Sequence, residues 1–127
     1  MPRRGKSLLN FLEFSAQDNQ TELYDPLANS FAVGPAMNTP REDIANAMLL
    51  PNGKVLIAGG WVFGTGVLAT TELYDPVSNT FAAAASTASM SSARKYSSAT
   101  LLPDGMVLIA GGDDGDDNLA TGDLYRP

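Results

Sequence analysis

With 127 residues the chain has room for one ordinary domain and hardly for two. Apolar residues make up 44% and charged residues 17%, the balance of a folded chain and not of a disordered one. There is no cysteine and no histidine, which excludes disulfides, thiolate nucleophiles, sulfur-ligated metals, and the commonest metal ligand and general base.

Net charge is −6, from 8 basic and 14 acidic side chains. The one basic cluster is Arg3, Arg4 and Lys6, whereas a phosphate-binding surface needs clustered Lys and Arg on the folded body. No nucleic acid is expected as a partner. No apolar run approaches the ~18–20 residues that span a bilayer as a helix, so no membrane is expected either. The absence of cysteine fits any compartment, and localisation is left unknown.

Residues 1–20 read as an N-terminal arm or an extra strand. Met1 to Lys6 followed by Leu8-Leu9 has the outline of a leader peptide, but Asn10 and Glu13 interrupt an apolar run that should continue for about 7–15 residues. Asn19-Gln20-Thr21 fits the N-x-T acceptor pattern, incidental without a secretory route.

From Thr21 onward the chain repeats itself. Thr21-Glu22-Leu23-Tyr24-Asp25-Pro26 returns as Thr71-Glu72-Leu73-Tyr74-Asp75-Pro76, and again in Thr121 to Pro127 with Tyr125 in place of the tyrosine. A second block, Leu49 to Gly60, returns as Leu101 to Gly112 and differs only at Asn52/Asp104 and Lys54/Met106. Each repeat reads as four short strands. The first ends in Ala47 to Leu50 and turns at Pro51-Asn52-Gly53, where proline presets one angle and glycine accepts positive φ. The second, Val55 to Ala58, is apolar without alternation, as when both faces of a sheet are covered. Gly59-Gly60 ends it. The third is Thr71 to Asp75, closed by Pro76, which lacks a ladder donor, and the fourth is Thr80-Phe81-Ala82. Prolines and glycines recur too often for helix.

The Gly-Gly pair after an aliphatic strand, Tyr74 and then Phe81 resemble the kelch motif, most closely the bacterial-type kelch repeats of galactose oxidase-like propellers. The resemblance covers about residue 21 to the end and implies an all-β fold of propeller blades, each of four antiparallel strands. Its structural positions here are Gly59, Gly60, Tyr74, Phe81, Arg94, Gly111, Gly112 and Tyr125. The family's fourth-strand tryptophan is here Phe31 and Phe81. Arg94 matches the arginine before the first strand, while Arg41 lies one residue farther from its Leu-Leu pair, so a bulge is expected there. On this reading residues 21–40 hold the last two strands of a blade, 41–84 a complete blade, and 85–127 the first three strands of another. That is about two and a half blades, short of the four to eight that close a ring. Either three chains close a six-bladed ring as a homo-oligomer, the strand at Phe31 completing a neighbour's C-terminal strands, or the missing blades belong to a longer chain.

Copper in galactose oxidase is held by two histidines and a tyrosine, with a second tyrosine cross-linked to cysteine, and this chain has neither histidine nor cysteine; sialidase propellers use three arginines, and the repeat body offers Arg41 and Arg94. Gly64-Thr65-Gly66-Val67-Leu68-Ala69 spells G-x-G-x-x-A, but a dinucleotide site needs a helix to start there, and Thr70, Thr71 and Pro76 oppose one. Asp113, Asp114, Asp116 and Asp117 are weak candidates for a cation, with a solvated loop as the preferred reading. No cofactor is expected. The connection between second and third strands shares one end with the linkers, and its binding candidates are Trp61, Phe63, Asp113 and Asp114; the competing reading has Trp61 and Phe63 filling space between blades. The periodic tyrosines read as core, each hydroxyl finding a backbone partner. The expected role is a non-catalytic scaffold for a protein or glycan. The alternative is a fragment of a carbohydrate-active or galactose oxidase-like enzyme whose catalytic residues are absent here.

Overall fold

A computed structural model of the chain describes residues 7–10, 19–44 and 47–127. The basic cluster Arg3 to Lys6 and Glu13 lie outside the described residues. The fold is all-β, with one 3₁₀ turn at Ala84–Ser86. Its strands are β1 (Ser7–Asn10), β2 (Thr21–Asp25), β3 (Ser30–Val33), β4 (Ala47–Leu49), β5 (Val55–Ala58), β6 (Trp61–Val62), β7 (Gly66–Val67), β8 (Thr71–Asp75), β9 (Thr80–Phe81), β10 (Ser98–Leu101), β11 (Val107–Ala110) and β12 (Gly122–Tyr125). They form three small antiparallel sheets, ordered β1-β2-β3, β4-β5-β8-β9 and β10-β11-β12, plus the ribbon β6-β7.

The three sheets share one register. Tyr24 stands opposite Ser7, Tyr74 opposite Val55 and Tyr125 opposite Val107. β1 thus occupies beside β2 the place that β5 and β11 occupy in the other sheets, so the first sheet has three strands and not two. The register also moves one match: Gly122 stands where Thr71 stands, and Thr121 is equivalent to Thr70.

The turns show why the repeated letters repeat. In Pro51-Asn52-Gly53 the Asn52 Oδ1 accepts from the Lys54 N–H at 3.0 Å, and the Asp104 Oδ1 accepts from the Met106 N–H at 3.0 Å. Only an oxygen at that position is used, so Asn and Asp interchange. Beyond Asp25 and Asp75, whose Oδ1 atoms cap the turns at Leu27 and Val77, Asn29 and Asn79 take left-handed φ of 50° and 56°. The Tyr24 and Tyr74 hydroxyls donate to the Oδ1 of those asparagines at 2.8 and 2.7 Å. The hydroxyl partner is therefore a turn side chain and not the backbone: left-handed asparagine aims its amide back over the hairpin. Each tyrosine ring also tilts against a phenylalanine, Phe31 at 5.1 Å and Phe81 at 5.4 Å between centroids.

Between the second and third sheets lies a core of Leu50, Leu56, Ala58, Met90, Val107 and Ile109, flanked by Met48, Leu73, Ala99 and Tyr125. Side chains alternate across a strand, so Ile57 and Tyr74 belong to the opposite face of the second sheet, where both are buried. Both faces of β5 are covered, as its unbroken apolar run implies. β11 is covered on one face only, since Leu108 is exposed.

What joins sheet to sheet is a linker that hydrogen-bonds to both. On one side of residues 34–41, the Gly34 and Met37 N–H groups donate to Thr21 O and Asn19 O, and the Thr21 hydroxyl donates to Pro35 O at 2.7 Å. The Asn19 amide is engaged too, donating to Met37 O at 2.7 Å. On the other side, the Asn38 and Thr39 N–H groups donate to the Glu72 carboxylate. Arg41 completes the junction: its Nε donates to Glu72 at 2.8 Å, its Nη1 to the Gly59 and Thr70 carbonyls, and its Nη2 to the Thr70 hydroxyl. The second linker repeats the set, with Arg94 donating to Asp123, to the Gly111 and Thr121 carbonyls and to the Thr121 hydroxyl. Arg41 and Glu72 are both buried, and removing either partner of such a pair costs about 3–5 kcal/mol through the charge left behind.

The glycine pair accommodates this junction. Gly60 N–H donates to Arg94 O at 2.8 Å, and a Cβ on Gly59 would collide with that same carbonyl oxygen. Gly111 is not so approached, its nearest such neighbour lying at 3.9 Å, while Gly112 is closed by Lys95 and Ser97. The extra residue between Arg41 and Gly59, relative to Arg94 and Gly111, falls between Asp43 and Ala47; the expected bulge therefore lies largely in Ala45 and Asn46, outside the described residues.

Two outcomes follow from these contacts. Gly59→Ala should destabilise by several kcal/mol in urea unfolding, adding collision to left-handed strain at φ 68°, whereas Gly53→Ala, at φ 85° with open space around it, should cost only about 1–2 kcal/mol. Acid titration tests the second latch. Burial opposes the Asp123 charge, but the Ser91 N–H and hydroxyl and the Arg94 guanidinium outweigh it, and its pKa lies below the ordinary 3.8. A lowered carboxyl pKa gives stability that is complete above the unfolded value and lost as pH falls through the folded one. The urea midpoint of Asp123→Asn should therefore fall less between neutral pH and pH about 3 than that of the native chain.

Candidate functional site

The second strand of each complete hairpin runs out at Gly-Gly, and there the loops of successive repeats meet. Gly59 and Gly60, at φ 68° and 103°, turn the chain out of β5 into the β6-β7 ribbon. Trp61 then forms a two-way backbone bridge with Glu42, both hydrogen bonds 2.8 Å. Gly111 and Gly112 turn the chain out of β11, and Asp113 forms the equivalent bridge with Lys95, both bonds 3.0 Å. The two bridges are stitched together by Tyr96 N–H, which donates to Asp43 O at 3.1 Å. A continuous backbone path thus runs from Trp61 through Glu42, Asp43, Tyr96 and Lys95 to Asp113. A Cβ on Gly115 would crowd the Val67 side chain of the ribbon at 3.3 Å.

Trp61 and Phe63, separated by one residue where β6 enters the ribbon turn, meet edge to face with centroids 6.2 Å apart and planes at 78°. Trp61 is half-buried and bridges to its own repeat; Phe63 is 65% exposed. The pair therefore leaves one ring on the surface. Gly64 and Gly66 have φ of 83° and 99° and serve the ribbon turn, and no helix starts in the G-x-G-x-x-A segment.

The acidic run is a loop closed on itself. Asp113 Oδ1 accepts from Gly115 N–H at 3.0 Å and lies 3.8 Å from Lys95 Nζ. Asp114 Oδ1 accepts from the N–H groups of Asp116 and Asp117, and these bonds, Asp117's first, hold its carboxyl below the ordinary 3.8. Asp116 and Asp117 point to solvent. Among the described residues no group of three or more acidic side chains is arranged to hold a metal ion.

Four residues of this end, Glu42, Asp43, Lys95 and Tyr96, escape a reading of the sequence. Asp43 and Tyr96 are equivalent, two residues after each latch arginine, and both are left-handed, at φ 54° and 55°. Aspartate tolerates that conformation; tyrosine rarely does. The distance from the arginine was the available signal, but the letters Asp and Tyr conceal it. Tyr96 is 63% exposed, its ring lies 5.4 Å from Lys95 Nζ, and its hydroxyl donates to the Asp43 carboxylate. That bond, with the charges of Asp43, Asp113 and Glu42 nearby, raises the phenol above 10.0.

The chemistry offered is an exposed Phe63 ring against Trp61, and an exposed Tyr96 ring with Lys95 beside it and the carboxylates of Asp43, Asp113 and Glu42 nearby. Such a surface attracts cations by ring face and by charge together. Scanned against models of known protein families the chain matches none, and no curated protein matches it.

Because the neutral phenol is the favoured form, Asp43→Asn should bring the Tyr96 ionisation down toward 10.0. The check is phenolate absorbance against pH, taking the difference between each protein and its Tyr96→Phe partner to isolate one of the four tyrosines.

Proposed function

We propose that this chain is a section of a kelch-type β-propeller, each sheet a blade, and that it serves as a non-catalytic scaffold whose loop end receives a basic segment of a partner protein. The reading of blades rests on three sheets in one register, on linkers latched by equivalent arginines, and on the resemblance of the repeated letters. The reading of function rests on one observation, the exposed Tyr96 ring among Asp43, Asp113 and Glu42 at the loop end that also exposes Phe63.

Loops held by a rigid scaffold are where binding concentrates. Aromatic anchors carry a large share of contact energy, and acidic rims select positively charged partners and speed their arrival. The chain's own charge of −6 acts in the same direction.

The single tryptophan reports on the site directly. Titrating Trp61 fluorescence with Lys/Arg-rich peptides should show saturable, salt-sensitive binding. Phe63→Ala and Tyr96→Ala should each weaken it by about 5–30-fold, the range of ~1–2 kcal/mol per anchor ring. Saturation by neutral oligosaccharides and not by peptides would transfer the site to a glycan. Turnover of a saccharide that is lost on loop substitution would replace the scaffold by an enzyme.

A further inference from the structure

The chain contains its own template for what covers its outer faces. At the junction of the second and third sheets, the covered side of the second sheet presents Leu56 and Leu73, and the third sheet meets it with Val107, Ile109 and Tyr125. Register fixes the equivalents: Leu108 stands for Leu56, Leu124 for Leu73, and Tyr24 for Tyr125. Leu56 is 1% exposed, but Leu108 is 36% and Leu124 58% exposed, on the outer face of the third sheet. The outer face of the first sheet carries Tyr24 with Phe31 against it, Phe31 being 55% exposed, and Val33 beside them. The third sheet thus repeats the leucine half of the inter-sheet contact on its outer face, and the first sheet repeats the tyrosine of the other half, with Ser7 and Leu9 at the register of Val107 and Ile109.

We infer that these two faces bind each other between chains: the Leu108–Leu124 face of one copy docks head to tail on the Tyr24–Phe31 face of a second copy, and two copies close a ring of six sheets. The occupant is argued from the junction already present, where leucines in the register of Leu108 and Leu124 are covered by a sheet that carries a tyrosine in the register of Tyr24. Burial of two leucines and a tyrosine–phenylalanine pair at each contact is the driving force. A contact between two different faces closes only if the rotation completes a circle, and three sheets per chain complete six with two copies. Closure by two copies leaves β3 where it is, paired with β2 through Phe31 opposite Tyr24. A trimer that borrowed the Phe31 strand for a neighbour's third sheet would have to break that pairing.

The inference does not depend on what the loop end binds. Its test is mass by light scattering on a sizing column, from micromolar to sub-millimolar chain. The native protein should run as one species of twice the 13.3 kDa chain mass. Leu124→Asp removes one face and Phe31→Asp the other; both side chains are exposed in the single chain, so unchanged circular dichroism and cooperative melting should certify the fold. Each variant alone should be monomeric over the same range. An equal mixture should associate more than either alone, because it restores one intact contact. A monomeric native chain, a mass of three chains, a pair that survives Phe31→Asp, or a mixture no more associated than its components would each overturn the proposal.

Discussion

A buried guanidinium group bound to the two carbonyls where a hairpin's neighbouring strands part, one of them already accepting a backbone N–H, is the contact on which the rest of this molecule depends. Arg41 and Arg94 are both buried, and each reaches across the end of a hairpin to bind two carbonyls, a threonine hydroxyl and a carboxylate. Arginine suits this because its donors are fixed in a planar fork and its charge persists at any working pH. The carboxylate is held in turn by linker N–H groups, so each latch fixes a hairpin end and a linker at once. Sheets of three or four short strands are marginal alone; here each is made conditional on its neighbour.

Much of this was legible in the letters. Strand bounds followed from Pro-Asn-Gly, Pro-Asp-Gly and Asp-Pro-x-x-Asn turns, because those residues fix backbone angles locally. Val-Leu-Ile-Ala without alternation announced a strand covered on both faces, and Ile57 and Leu56 bear it out. β1 was not legible as part of the repeat. Ser-Leu-Leu-Asn carries neither the aliphatic run nor the glycine pair of its counterparts, and only pairing with Thr21–Asp25 reveals its place. The arginine positions were visible through resemblance, but their partners were not. Glu72 lies 31 residues from Arg41 and Asp123 lies 29 from Arg94, distances that no local pattern spans.

The loop end was half legible for a similar reason. Trp61, Phe63 and the aspartate run stand out by composition. Asp43 and Tyr96 enter only because the latch sets the chain direction, so that both must turn left-handed two residues later. A tyrosine held in that conformation is kept there by its neighbours and not by its own preference. Its exposed ring and its hydrogen bond to Asp43 are the return on that strain, and they make a surface that neither repeat presents by itself.

The two repeats differ by one residue between arginine and glycine, yet both arginines bind the equivalent two carbonyls, threonine hydroxyl and carboxylate. The extra residue falls between Asp43, whose carbonyl accepts from the Tyr96 N–H, and Ala47, where the next ladder starts. The one length difference between the repeats thus falls in a single slot. Elsewhere an insertion would slide a strand by one position and turn its buried face outward, so this slot is where a loop could be lengthened, or a new sequence grafted, while the register on either side stays as it is.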